Sequence, residues 1–306
     1  MSETPHQRPV LALFIRILAV VLLATLAALV KLCAQRGVHL LEIMFWRQFL
    51  TIPVVLGFLA ANRSFHRLKT NRPSHHVRRA FLGMVGMALN FGAAILLPLA
   101  EAQTLQFTAP LFATVLSVVI LKEKVGLWRI SALIAGFAGI LVITSPSNMH
   151  IPVTGLAVGL GSAFAIGLMS ILLKDLGRSE EPITIVFYFS AFSLPFLAFA
   201  MPFVARGHDL ETWMLLALLG FTGLVAQFLL TLALRLGSVV SVIVMDYTGL
   251  IWATIYGAWL FGQLPPPATW IGAPLIVAAG LTIAWREHTL AKSRSGLPQP
   301  VAGSSV

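Results

Sequence analysis

Acidic residues are scarce in this chain, 11 Asp and Glu against 21 Lys and Arg in 306 residues. Charged residues of both signs make up only 10% of it, where soluble domains carry roughly a quarter. Hydrophobic residues are 58% and the mean hydropathy is +0.90. So few hydratable groups cannot cover that much apolar surface in water, which excludes an ordinary soluble domain. Cysteine occurs once, as Cys33 inside an apolar run, so no disulfide framework and no CxxC metal site is available. Cys33 reads as a packing residue. HExxH, GxSxG, Walker A and GxGxxG are all absent. Covalent catalysis and nucleotide hydrolysis therefore have no candidate constellation, and no catalytic residue, metal or cofactor is expected. Any pumping must draw on gradients or on an external partner.

What is present is a series of apolar runs of about 20 residues, the length that crosses a hydrocarbon core of roughly 30 Å as a helix. They predict spans over 10–34, 40–61, 79–97, 99–121, 127–145, 152–174, 182–205, 211–235, 238–262 and 268–286. The first, "VLALFIRILAVVLLATLAALV", is too long for a signal-peptide core and ends in no A-x-A site. None of the runs alternates every second residue, as barrel strands would. The expected fold class is an all-α integral membrane protein of ten transmembrane helices.

Basic residues set the expected orientation. The connection "ANRSFHRLKTNRPSHHVRR" (61–79) carries six Lys and Arg and no acid. Placing it in the cytoplasm puts both termini there and 16 of the 21 Lys and Arg on that side. This is the bias that loops of inner (plasma) membrane proteins show. It accounts for the basic balance without nucleic acid, and membrane lipid headgroups become partners of the same charges.

The chain also matches itself. At an offset of 140, "FTAPLFATVLSVVILKEK" lies over "YTGLIWATIYGAWLFGQL", with Thr108 over Thr248 and Glu123 over Gln263. "RAFLGMVGMALNFG" meets "LGFTGLVAQFLLT" at the same offset, placing Gly83 over Gly223. One residue further out, Gly139 falls over Gly280; at 143, Lys31 falls over Lys174. Two five-span repeats follow, 8–146 and 150–287, with a disordered tail expected over 288–306. An odd span number forces the second repeat to enter the membrane from the opposite side. Such inverted pairs favour alternating access around a central site.

Several stretches resemble the EamA-like repeats of the drug/metabolite transporter superfamily. They are "LEIMFWR", "TLQFTAPLFATVLSVVILKEKV", "GFAGILVI" and "VMDYTGLIWATIYGAWLFGQLPPPATWIGAPLIVAAGLTI". The resemblance implies spans five and ten as scaffold and the other eight around a cavity. It also implies a small organic substrate such as an amino acid, vitamin, nucleoside-like metabolite or drug. Such proteins often carry Glu after "FG", where this chain has Gln263.

Ionisable groups inside spans are the strongest local signal, because burying one in hydrocarbon costs a few kcal/mol or more. Asp246 lies roughly 13 Å into span nine and is a candidate for exchanging a proton or binding a cationic group of the substrate. A carboxylate clamped by a partner span is the competing reading, with Arg47 as the first partner. Tyr247 and Thr248 add hydroxyls beside it. Arg47 also suits a substrate carboxylate or phosphate. Glu42, five residues before it, needs a partner elsewhere. Glu101 reads as a surface residue and Arg16 as a snorkelling one. Trp46 and Trp252 are the favoured aromatic walls, and Pro110 the favoured helix breaker. "GLAVGLG" (155–161) holds a GxxxG spacing suited to packing inside the bundle. The expected activity is secondary transport of a small organic metabolite, with protons as an optional coupling ion. A lipid-linked-sugar flippase subunit or a non-transporting membrane partner is the alternative. The sequence leaves monomer and homodimer open.

Overall fold

Backbone N–H and C=O groups in hydrocarbon have no water to bond, so they must pair within their own segment or in a closed barrel. The computed structural model describes residues 9–121, 127–143, 152–176, 180–236 and 244–295, and among these no strand occurs. The helices are α1 (Pro9–Gln35), α2 (Leu40–Ala61), α3 (Pro73–Leu96), α4 (Leu99–Gln106), α5 (Ala109–Leu121), α6 (Leu127–Ile143), α7 (Val153–Leu176), α8 (Pro182–Val204), α9 (Leu210–Leu236), α10 (Gly249–Phe261) and α11 (Pro267–Ser295). Short 3-10 turns cover Phe65–Leu68 and Met245–Thr248. Among the described residues, eight helical stretches are long and apolar enough to cross a membrane, the one over Leu99–Val119 running from α4 into α5, and Ile130–Ile143 is a shorter apolar helix. Large apolar side chains stand outward from the bundle, Phe14, Phe199 and Phe203 among them at 68%, 78% and 79% exposure. Lipid is the solvent for such a surface, and the chain is a multi-pass helical membrane protein.

Several boundaries differ from the sequence expectation. The third helix begins at Pro73 instead of 79, because proline suits the first helical turn and the following SHHVRR segment can wind in water. Arg78 and Arg79 therefore belong to a helix and not to the loop. The fourth predicted span is two helices, broken at Phe107 and Thr108. Pro110 follows the break and has no N–H to donate back to Gln106, while the Thr108 hydroxyl donates to the Leu105 carbonyl at 2.6 Å. The ninth predicted span is not one α-helix either. Residues 238–243 lie outside the described residues, and the rest is the 3-10 turn followed by the 13-residue α10. There the Thr248 hydroxyl donates to the Met245 carbonyl at 2.7 Å, the same i−3 bond as at Thr108. The last helix continues to Ser295, past the expected end at 286, so 288–295 are helical and the remainder of the expected disordered tail lies outside the described residues.

Helix contacts are organised by small residues. α1 packs on α9 and α10, α2 on α8 and α9, α3 on α7 and α8, α5 on α7, α4 on α10, and α6 on α11. At the α6–α11 crossing, a Cβ on Gly139 would lie 2.9 Å from the Gly272 carbonyl oxygen, and one on Gly272 would lie 2.7 Å from that of Gly139. The two backbones touch there, which no larger residue permits. Gly155 and Gly159 of the GxxxG segment receive Leu97 and Leu105 and so pack inside the bundle.

Candidate functional site

α1 and the ninth segment run parallel and are joined at three levels. Nearest the N-terminus, Arg16 Nε and Nη2 donate to the two carboxylate oxygens of Asp246, both at 2.6 Å. In the middle, the hydroxyls of Thr25 and Tyr256 meet at 2.9 Å. At the far end, Lys31 Nζ donates to Gln263 Oε1 at 3.1 Å and to the Leu97 carbonyl at 2.5 Å. That carbonyl is free because α3 ends at Leu96 and Pro98 follows. Glu101 is 2% exposed rather than on the surface.

The bidentate pair corrects two expectations. Arg16 does not reach out to headgroups; its side chain is 9% exposed and held by Asp246, which is 36% exposed. Arg47 is not the partner of Asp246. Its Nη1 donates to Met87 Sδ at 2.8 Å, its guanidinium lies 5.7 Å from the Phe91 ring centroid, and its Nε is buried without an acceptor. Sequence reasoning could see a buried arginine and a buried aspartate but not which span each faced.

Glu42 finds its partner in His208, 2.9 Å away. Beside it, Arg36 bonds Glu211 and lies 3.6 Å from Asp209, so one end of the bundle is bridged from the α1–α2 connection to α9. The Thr212 hydroxyl holds the Asp209 carboxyl below its ordinary range. The other end is bridged through the 61–72 connection. Thr70 donates to Glu180 at 2.6 Å, Tyr188 to the Leu68 carbonyl at 2.8 Å, and Thr184 to the Arg67 carbonyl at 2.5 Å.

Of the aromatic candidates, Trp46 packs edge-on against Trp213 at 5.2 Å. Tyr247 meets Phe107, its counterpart in the first repeat, at 4.9 Å, and its hydroxyl end abuts Gly280. It turns toward α11 and away from Asp246's partner. Trp252 is half-buried. Arg79, which the sequence left in a loop, stacks over Phe189 at 4.5 Å with Nε and Nη1 buried and without acceptors. The signal for it was the run 79, 83, 87, 91, one face of a helix that starts earlier than expected. An apolar cleft of about 290 Å³ between α10 and α11 holds no charged side chain. Among the described residues no group of three or more His, Cys, Asp or Glu could hold a metal ion.

Residues 10–145 and 153–285 each match the EamA-like transporter family. A riboflavin transporter of Vibrio cholerae is 31% identical over 230 residues, covering 74% of this chain and 77% of the relative. A riboflavin transporter of Brucella anthropi is 28% identical over 253 residues, covering 81% and 88%. An S-adenosylmethionine uptake transporter of Rickettsia prowazekii is 27% identical over 257 residues, covering 84% and 86%. One solved crystal structure superposes with a TM-score of 0.61 at 18% identity, covering 94% of this chain and 100% of the other, and at that identity it speaks for the fold alone.

Proposed function

The chain belongs to the EamA-like transporter family of the drug/metabolite transporter superfamily, a family of small-metabolite transporters, and from that premise we propose that it moves its metabolite by alternating access between two inverted five-span halves. The observation that carries this reading is the symmetry of helix packing. Exchange the halves, and the α1–α9 contact becomes α7–α3, α1–α10 becomes α7–α5, and α2–α9 becomes α8–α3. The contacts α2–α8 and α6–α11 map onto themselves. A two-fold axis relating the halves gives that pattern, and the Phe107–Tyr247 contact between matched residues supports it. Ten passes follow when α4 with α5, and the 245–248 turn with α10, each count as one. Both termini then face the cytoplasm of the inner membrane.

The two bridged ends serve as alternating gates, with Arg36–Glu211 and Glu42–His208 at the outer one and the Thr70, Tyr188 and Thr184 bonds at the inner one. Asp246 couples a proton to the cycle. Protonation removes the charge that holds Arg16, and α1 is released from the ninth segment. Riboflavin and S-adenosylmethionine, named for the relatives, open the substrate panel; amino acids, nucleosides, phosphate monoesters and dicarboxylates follow. In an uptake-deficient bacterial strain expressing the chain, at least one labelled member of that panel accumulates or is expelled faster than in the empty-vector strain, and Asp246→Asn abolishes the pH dependence. No change in flux for any member sinks the reading.

A further inference from the structure

Two guanidiniums in the bundle, those of Arg47 of α2 and Arg79 of α3, have no acid to answer them among the described residues. Both rest on aromatic faces, Phe91 and Phe189, and three of their nitrogens are buried without any acceptor. Two other buried groups described above do have a partner: Arg16 bonds Asp246, and Glu42 bonds His208. A buried charge left unpaired costs several kcal/mol, so a site that keeps two of them is one that something neutralises.

The residues share one face. Arg79, Gly83, Met87 and Phe91 follow at intervals of four along α3, and Arg47 reaches that face from α2 at Met87. Gly83 and Gly223, matched in the two repeats, each leave room there, Gly83 for Phe189 and Gly223 for Arg47 itself. On the same helices the Trp46 Nε1 donor of α2 and the Ser190 and Ser193 hydroxyls of α8 are also buried without a partner. A cationic ligand would be repelled. A neutral one would leave both charges standing.

We propose that Arg47 and Arg79 form the binding site for a metabolite carrying two negative charges on oxygen, a phosphate monoester or a dicarboxylate. The assignment rests on the transport reading for its purpose but not for its test. Arginine suits either group, because its planar fork donates two parallel hydrogen bonds to an oxyanion.

The test is a thermal melt of the purified full-length protein in a neutral detergent, with inorganic phosphate or succinate as probes against potassium chloride at equal ionic strength. A ligand that binds only the folded state raises the melting temperature. Phosphate or succinate is expected to give a saturable rise of about 3–6 °C over chloride, absent in Arg47→Gln and in Arg79→Gln. A response to phosphate alone identifies the monoester, and one to succinate alone the dicarboxylate. General salting-out by these anions would persist in both variants, and a rise that does so overturns the site. So does a wild-type protein that responds to neither probe. If a Gln variant does not fold, Arg47→Met and Arg79→Met remove the charge and keep an apolar stem, and an undiminished rise in both also overturns it. A protein that moves no panel metabolite yet shows the rise keeps this site and loses the transport reading. One that transports and shows no rise does the reverse.

Discussion

The Arg16–Asp246 pair is the residue on which most depends. It joins two elements 230 positions apart by two charge-assisted bonds, and such bonds contribute roughly 1.5–3 kcal/mol each way of counting when one partner is truncated. Asp246→Asn leaves Arg16 unanswered inside the bundle, so the melting temperature in detergent should fall by several degrees. Arg16→Gln should do the same. The double variant should recover most of the loss, because neither charge is then stranded; simple addition of the two losses would show that the groups do not act as a pair. Gly139 offers a second residue-scale expectation. Gly139→Ala sets a methyl 2.9 Å from the Gly272 carbonyl and from Ile276, and overpacking of that kind costs about 1–3 kcal/mol. Folded yield by size-exclusion chromatography should drop, while Gly57→Ala, with open space around its position, should leave it unchanged.

At the scale of elements, apolar length was legible where packing was not. Runs of twenty apolar residues announced α1, α2, α8 and α9 to within one or two residues of their ends, since length and composition alone decide whether a helix can span lipid. The two broken segments were not announced. A helix interrupted at Phe107–Thr108 and a 3-10 turn at Met245–Thr248 are as apolar as their continuous neighbours, and only the Thr-to-carbonyl bonds distinguish them. The clue in hand was Pro110 together with the match of Thr108 to Thr248, which ties the two breaks together before either is seen. Pairing was hidden for another reason. A helix offers every direction around its axis, so Arg47 read as the partner of Asp246 and Arg16 as a snorkelling residue until neighbouring helices fixed their faces. Cross-linking tests the outer closure at this scale. Cysteines replacing Arg36 and Glu211, joined by a cleavable bismaleimide that spans the length of the two replaced side chains, should hold the α1–α2 connection to α9 and stop transport, with activity returning when the linker is cleaved; full activity in the cross-linked form would remove that bridge from the cycle. Cys33 is buried and should not interfere.

For the whole molecule, the repeat match was legible as ordered blocks at offsets of 140 to 143, and its meaning depends on which side of the membrane the junction faces. Reporters active only in the cytoplasm or only in the periplasm, fused after residues 70, 148 and 306, should give cytoplasmic, periplasmic and cytoplasmic signals. A cytoplasmic signal at 148 refutes the odd-numbered repeat. The unanswered guanidiniums have a consequence that belongs to electricity rather than to affinity. A carrier whose site holds two positive charges is neutral when a dianion fills it and doubly positive when empty. Each charge that crosses the full membrane field does work of about 2.3 kcal/mol per 100 mV. Only the return of the empty carrier should then feel the voltage. An interior-negative potential holds the empty site inward, slowing net import and favouring net export. Exchange of internal for external anion never leaves the site empty. In proteoliposomes under an imposed potassium diffusion potential, net flux of the dianion should therefore change with voltage while one-for-one exchange proceeds at a constant rate.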